Sequence, residues 1–226
     1  MKTSITPSVL ALAATQLVHA GAGCGNPHDG GSLKRDITSS GKTRTYEMHV
    51  PDDYDPEHSY PTVIGFHGRN GSGSGFADST NMNYEQWTGD KLAVYPDGVH
   101  NGEERNWAGA SYSAVSIAED LQFVLDLLAD LRADFCVDNA RLYAVGHSNG
   151  GGFVDTIACN ATVGGEFAAF APVSGAYYSN NDDNYAGCDP ARALTPLLEI
   201  HGDADDTVPY EGGKGAGGQL PSIPDW

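Results

Sequence analysis

The chain has 226 residues and a formal net charge of −18. Acidity on that scale repels phosphate backbones and anionic lipid, so nucleic acid and an acidic membrane surface are poor partners. The length fills one core well and leaves no room for a second domain of similar size.

Lys2, a mostly apolar run from Ser8 to Val18, and small residues at Ala20 and Ala22 follow the order of a secretory signal peptide. The expectation is a leader over residues 1–22, cleaved after Ala20 or Ala22, and a single soluble domain over 23–226. The apolar run is too short to span a bilayer. Cys24, Cys136, Cys159 and Cys188 form no CxxC pair, which argues against zinc. An even number in a secreted chain points to disulfides, with all three pairings open. Sequons stand at Asn70 and Asn160. Asn160 is the candidate for glycosylation, because Asn70 lies beside the candidate active site.

In chain order, Arg44 to Val50 reads as an early strand. Pro61 to Phe66 reads as a buried one, since it is apolar and bounded by Pro and Gly. His67 to Gly75 is a Gly-rich loop, Asn81 to Thr88 a short helix, and Leu92 to Pro96 another buried strand. Ser116 and Glu119 form a capping box. Ile117, Leu121, Val124, Leu125, Leu128 and Leu131 then recur at helical spacing to about Asp134. Arg141 to Gly146 is a strand, Gly150 to Cys159 a helix, and Phe167 to Ser174 and Leu197 to His201 are strands. Strands alternating with helices predict an α/β fold whose mostly parallel sheet is covered on both faces, with its site at the carboxyl ends of the strands.

Gly146-His147-Ser148-Asn149-Gly150 matches G-x-S-x-G, the nucleophile elbow of the α/β-hydrolase fold. It stands where the elbow must stand, after a strand and before a helix. Ser148 is the candidate nucleophile. The N–H groups of Arg69, in the loop after Phe66, and of Asn149 are the candidate oxyanion hole. His67 is expected to hold that loop rather than act as base. The block His201 to Tyr210 offers three aspartates for the triad acid. Asp205 is chosen over Asp203, and Asp206 is left as a solvated turn carboxylate. The fold's chain order then requires a histidine after the acid. The eight histidines are His19, His28, His49, His58, His67, His100, His147 and His201, and all precede Asp205. The expectation is a chain incomplete at its C-terminus, and strongly impaired in catalysis as written.

The blocks YEMHVPDDYDP, YPTVIGFHGRNG, YPDG, NWAG, DNARLYAVGHSNGGG, FAAFAPVSG and HGDADDTVPYEGG follow one another from about Thr43 to Gly213. Together they resemble the secreted fungal feruloyl esterases related to polyhydroxybutyrate depolymerases. The resemblance implies hydrolysis of hydroxycinnamoyl esters on plant arabinoxylan by a monomer without metal or cofactor, and it supports Asp205 as the acid. Trp107, Tyr177 and Tyr178 are candidates to stack on an aromatic acid, or else plain core and surface aromatics. The rival readings are an acetylxylan esterase or polyester depolymerase, a peptidase of the same fold, and a catalytically dead, esterase-like binding protein.

Overall fold

The computed structural model describes residues 22–84, 86, 90–178 and 188–225. The expected leader, apart from Ala22, lies outside the described residues, as does much of the short helix expected over 81–88.

Strands β1 (Gly31–Ser39) and β2 (Lys42–Val50) form an antiparallel hairpin. Its two turn residues, Ser40 and Gly41, both take positive φ, 48° and 74°. That turn has the handedness of the flanking strands' own twist. Sequence reading finds β2 but not β1, because Leu33, Arg35 and Ile37 give one face of β1 too little apolar contrast with its exposed residues. Next come β3 (Tyr60–Phe66) and helix α1 (Gly73–Thr80). The Ser72 hydroxyl caps α1 by accepting from Gly75 N at 3.1 Å, so the Gly-rich stretch expected to be loop turns helical at its end. Strand β4 (Leu92–Pro96) and a small hairpin of β5 (Val99–His100) and β6 (Arg105–Asn106) follow.

Helix α2 (Ile117–Asp134) begins at the expected capping box. The Ser116 hydroxyl accepts from Glu119 N, and the Glu119 carboxylate accepts from Ser116 N at 2.9 Å. A cap of this kind contributes about 1 kcal/mol. Leu121, Val124, Leu128 and Leu131 are buried as their spacing predicts, with Phe123 and Leu127 beside them. Each such side chain contributes roughly 2 kcal/mol on leaving water. Strand β7 (Val137–His147), helices α3 (Asn149–Ala158) and α4 (Ala161–Gly164), and strand β8 (Ala169–Val173) follow. The main sheet runs β1-β2-β4-β3-β7-β8, parallel from β4 to β8. From β3 the chain first adds β4 on one side and then β7 on the other. The carboxyl ends of β3 and β7 therefore meet at a topological switch point, where α/β sheets place their ligands. A last small hairpin pairs β9 (Gly213–Gly215) with β10 (Gly218–Leu220).

The strand expected over Leu197–His201 is present only as an extended segment parallel to β8, bridged at Phe170 and Val173. Phe170 N donates to Pro196 O, Leu198 N to Phe170 O, Ile200 N to Pro172 O, and Ser174 N to Ile200 O. The donor that would close the gap, opposite Leu198, belongs to Pro172, which has no N–H. Leu198 and Ile200 remain 61% and 52% exposed on this segment.

The disulfides are Cys24–Cys136 and Cys159–Cys188, which settles the pairing that sequence leaves open. They close loops with separations of 112 and 29 residues. In the chain-entropy model each stabilises by on the order of 3–5 kcal/mol. Asn160 caps α4 through Oδ1, which accepts from Thr162 N and Val163 N, while Thr162 of its sequon is exposed.

Candidate active site

Strand β7 ends at His147 and α3 begins at Asn149, so Ser148 alone must reverse the chain. It does so at φ 55° and ψ −119°, a left-handed conformation that costs a non-glycine residue energy. Close packing leaves it no alternative. A Cβ on Gly146 would lie 2.4 Å from Gly150 O, and one on Gly150 would lie 2.2 Å from Phe66 O. The Ser148 main chain is also fixed, with its N–H donating to Val173 O at 2.9 Å and its carbonyl accepting from Gly152 N and Ala176 N, both at 3.0 Å. The hydroxyl makes no capping bond to α3, and the residue is half-buried at the helix N-terminus. The helix directs its positive end at that point.

The loop after β3 meets this turn directly. A Cβ on Gly68 would stand 3.4 Å from Ser148 Cβ and 3.2 Å from His147 Nδ1. His67 is buried, with Nδ1 donating to Gly68 O at 2.7 Å and Nε2 accepting from Gly98 N at 2.9 Å. Both ring nitrogens are committed, and burial pushes its pKa down. The ring is a neutral wedge under the loop. Arg69 is exposed. Its Nε donates to Glu104 at 2.6 Å and its guanidinium lies 4.4 Å from the centre of the Tyr112 ring. Asn70, at φ 59°, ties the loop to β6 by donating its N–H to Arg105 O at 2.7 Å.

Asp205 is half-buried, whereas Asp203 and Asp206 are exposed. Its Oδ1 accepts from Val208 N and Thr207 N, both at 2.9 Å, and Oδ2 lies 3.7 Å from His201 Nε2. The Val208 N–H bond, with the Thr207 N–H, His201 and the Ser174 hydroxyl behind it, holds the carboxyl below its ordinary range against the pull of burial. Ser174 follows Val173, whose carbonyl holds Ser148, so Asp205 is tied to the elbow's own support. His201 places Nδ1 against Glu199 at 2.9 Å and Nε2 against Val208 O at 2.8 Å. Neither nitrogen remains to take a proton from serine.

The aromatic residues need correction. Trp107 is fully buried, stacked on Phe153 at 5.3 Å, and cannot offer its ring to a substrate. Tyr177 is 4% exposed, and its hydroxyl donates to Glu199. Trp107 is a core residue, and Tyr177, though buried, lines the same apolar cavity as Tyr178. Tyr178 is half-buried and lines an apolar cavity of about 570 Å3 with Ala158, Arg192, Leu197 and Pro221. Neither Ser148 nor Asp205 lines that cavity. A polar cleft of about 510 Å3 reaches the elbow at Gly68 and His147 and is lined further by Arg69, Ser72, Ser79 and Arg105; among the described residues Phe76 is the one Phe, Tyr or Trp that lines it, and Ser148 itself does not. Sequence reasoning missed the Asn149 side chain, which clamps the Trp107 main chain, and Glu199, which joins Tyr177 to His201. No sequence spacing signals the Asn149–Trp107 clamp or the Glu199–Tyr177 bond, whose partners lie 42 and 22 residues apart. Among the described residues no three His, Cys, Asp or Glu side chains converge to hold a metal ion, and no helix is long and apolar enough to cross a membrane.

No family model matches the chain. It is 29% identical over 216 residues to the probable feruloyl esterase C of Aspergillus niger, covering 91% of this chain and 70% of that protein. It is 31% identical over 175 residues to the probable feruloyl esterase C of Aspergillus clavatus, covering 76% of this chain and 58% of that one. Among solved structures, a thermostable esterase superposes with a TM-score of 0.58 at 20% identity, over 80% of this chain and 48% of its own. The aligned part thus spans 58% to 70% of these two curated relatives. The chain is a homologue of the fungal feruloyl esterases, built on the α/β-hydrolase fold.

Proposed function

We propose that the protein is an extracellular serine carboxylic-ester hydrolase that releases ferulic and related hydroxycinnamic acids from plant cell-wall arabinoxylan. The observation that carries this reading is Ser148, held at a left-handed φ on a strand-to-helix turn by glycines that tolerate no side chain. Such a serine attacks the ester carbonyl while main-chain N–H groups, here those of Arg69 and Asn149, stabilise the oxyanion. Asp205 orients the base, and in this fold the base is a histidine that follows the acid. The alcohol leaves first and water then releases the acid. The leader-like N-terminus and two disulfides support an oxidising, extracellular setting. The protein that carries the triad histidine acts as a monomer on feruloylated arabinoxylan or on small hydroxycinnamate esters.

Labelling with a fluorophosphonate tests the nucleophile. The protein carrying its triad histidine is expected to label and its Ser148→Ala variant not to. If that protein stays unlabelled, the esterase-like binding protein is favoured. Reading the transcript past the Trp226 codon tests the base, because a histidine encoded there would complete the triad. A second substrate reading, acetylxylan esterase, is favoured by one observation: the cleft that reaches the elbow at Gly68 and His147 is polar, and among the described residues Phe76 is the one Phe, Tyr or Trp that lines it. Hydrolysis of acetylated xylan with no action on methyl ferulate would select it.

A further inference from the structure

Two loops carry the candidate oxyanion N–H groups, and they come from different strands. Gly68 and Arg69 follow β3, and Asn149 follows β7. Trp107 lies between them and bonds to both. Its indole Nε1 donates to His67 O at 3.0 Å. Its main-chain N–H donates to Asn149 Oδ1 at 2.7 Å, and its carbonyl accepts from Asn149 Nδ2 at 3.2 Å. Trp107 is 0% exposed, His67 1% and Asn149 2%. Buried bonds of this kind do not exchange with water and are costly to break. Trp107 is itself anchored from behind. The next residue, Ala108, donates its N–H to Asp120 Oδ2 at 2.8 Å, and Asp120 is paired with Arg44 at 2.8 Å with both side chains buried.

We infer that Trp107 is a positioning residue, a buried bracket that fixes the spacing between the two arms of the oxyanion hole by bonding one arm through its indole and the other through its main chain. Plain core packing would use the ring and leave its N–H to any acceptor. Here all three polar groups of the residue go to the two arms and to nothing else that the structure records, apart from a second bond in which Ser113 Oγ donates to the Trp107 carbonyl at 2.7 Å. A shift of about 1 Å in such a constellation can cost on the order of a hundredfold in rate.

The catalytic part of this inference rests on the esterase reading; the mechanical coupling does not. Trp107→Phe keeps a ring on Phe153 and removes the indole N–H. Asn149→Ala removes the clamp and keeps the main-chain N–H. Phe167→Leu, a buried core change just before β8 at a residue with no hydrogen bond to either arm, controls for lost stability. The amide resonances of Gly68 and Arg69 are read by NMR relaxation dispersion, which reports microsecond-to-millisecond motion. Both test variants are expected to broaden and shift these two resonances, leaving Ile64 and Ala144 in the strands as they are, and the control is expected to leave all four unchanged. Since Asn149 sits on the opposite arm, a response at Gly68 and Arg69 to its substitution reports the bracket itself. In the protein that carries the triad histidine, kcat on p-nitrophenyl acetate is expected to fall about 10- to 100-fold with KM held within about twofold. Unchanged amides in both variants would overturn the bracket. Disturbed amides with an unchanged kcat would overturn its positioning role. Should a wild type that carries the triad histidine hydrolyse no ester, the esterase reading falls, and the amides alone decide the coupling.

Discussion

The elbow at Ser148 and the turn at Asp205 stand on the same end of the sheet but are built differently. The elbow is enclosed: glycines at 146 and 150 meet backbone at 2.4 and 2.2 Å, and the strand beneath it pairs on both sides. The turn hangs from an edge segment held at two bridges, with Leu198 and Ile200 exposed and its carboxylate fixed chiefly by its own main chain. Strain can be stored where the surroundings over-determine the backbone, and the elbow is such a place. An acid that only orients a base needs no strain, and local hydrogen bonds are enough to aim it.

That contrast can be broken by substitution. Asp205→Asn should show the largest effect, and chiefly in activity. With the triad histidine in place, ester turnover is expected to fall about 10⁴-fold while the thermal midpoint moves little. Equal losses in Asp203→Asn would transfer the role. Gly150→Ala should do the opposite, because its Cβ would meet the Phe66 carbonyl oxygen at 2.2 Å. A loss of about 3 kcal/mol or more is expected in urea unfolding, and a near-neutral result would show that the elbow can relax. Leu198→Thr on the exposed edge should stay within about 0.5 kcal/mol, and a larger loss would mean that the edge is covered in solution. The smallest effect concerns pH. The Asp205 carboxyl is depressed in the folded state, so the unfolded chain binds its proton more tightly. Its contribution is present above the ordinary carboxylate pKa, near 4, and is lost as pH falls through the lower folded value. Stability curves of the wild type and Asp205→Asn should therefore converge in acid and separate above about pH 4. Parallel curves would remove Asp205 from the linkage.

The parts of the molecule with short-range causes were readable in the sequence. The box at Ser116 and Glu119, the apolar stripe of α2, the strand Leu92–Pro96 and the glycine pattern around Ser148 each declare themselves within a few residues. What escaped depends on distant partners. β1 is a strand because β2 pairs with it, and Lys34, Arg35 and Asp36 hide the pattern. The edge ladder fails through Pro172, which lies some 26 residues before the strand it interrupts, a separation no local window spans. For Trp107 the sequence leaves a stacking platform and a plain core residue equally open. Only its burial and its bonds to His67 and Asn149 decide between them.

The disulfide order has a consequence for biosynthesis. The cysteines pair first with second and third with fourth along the chain. At about 5–20 residues per second of synthesis, Cys24 waits on the order of ten seconds for any intramolecular partner, and the first one to emerge, Cys136, is the native one. Cys159 then finds no thiol left over and waits for Cys188. A chain oxidised in the order of its emergence reaches the native pairing without reshuffling, so its maturation should depend on an oxidant far more than on an isomerase.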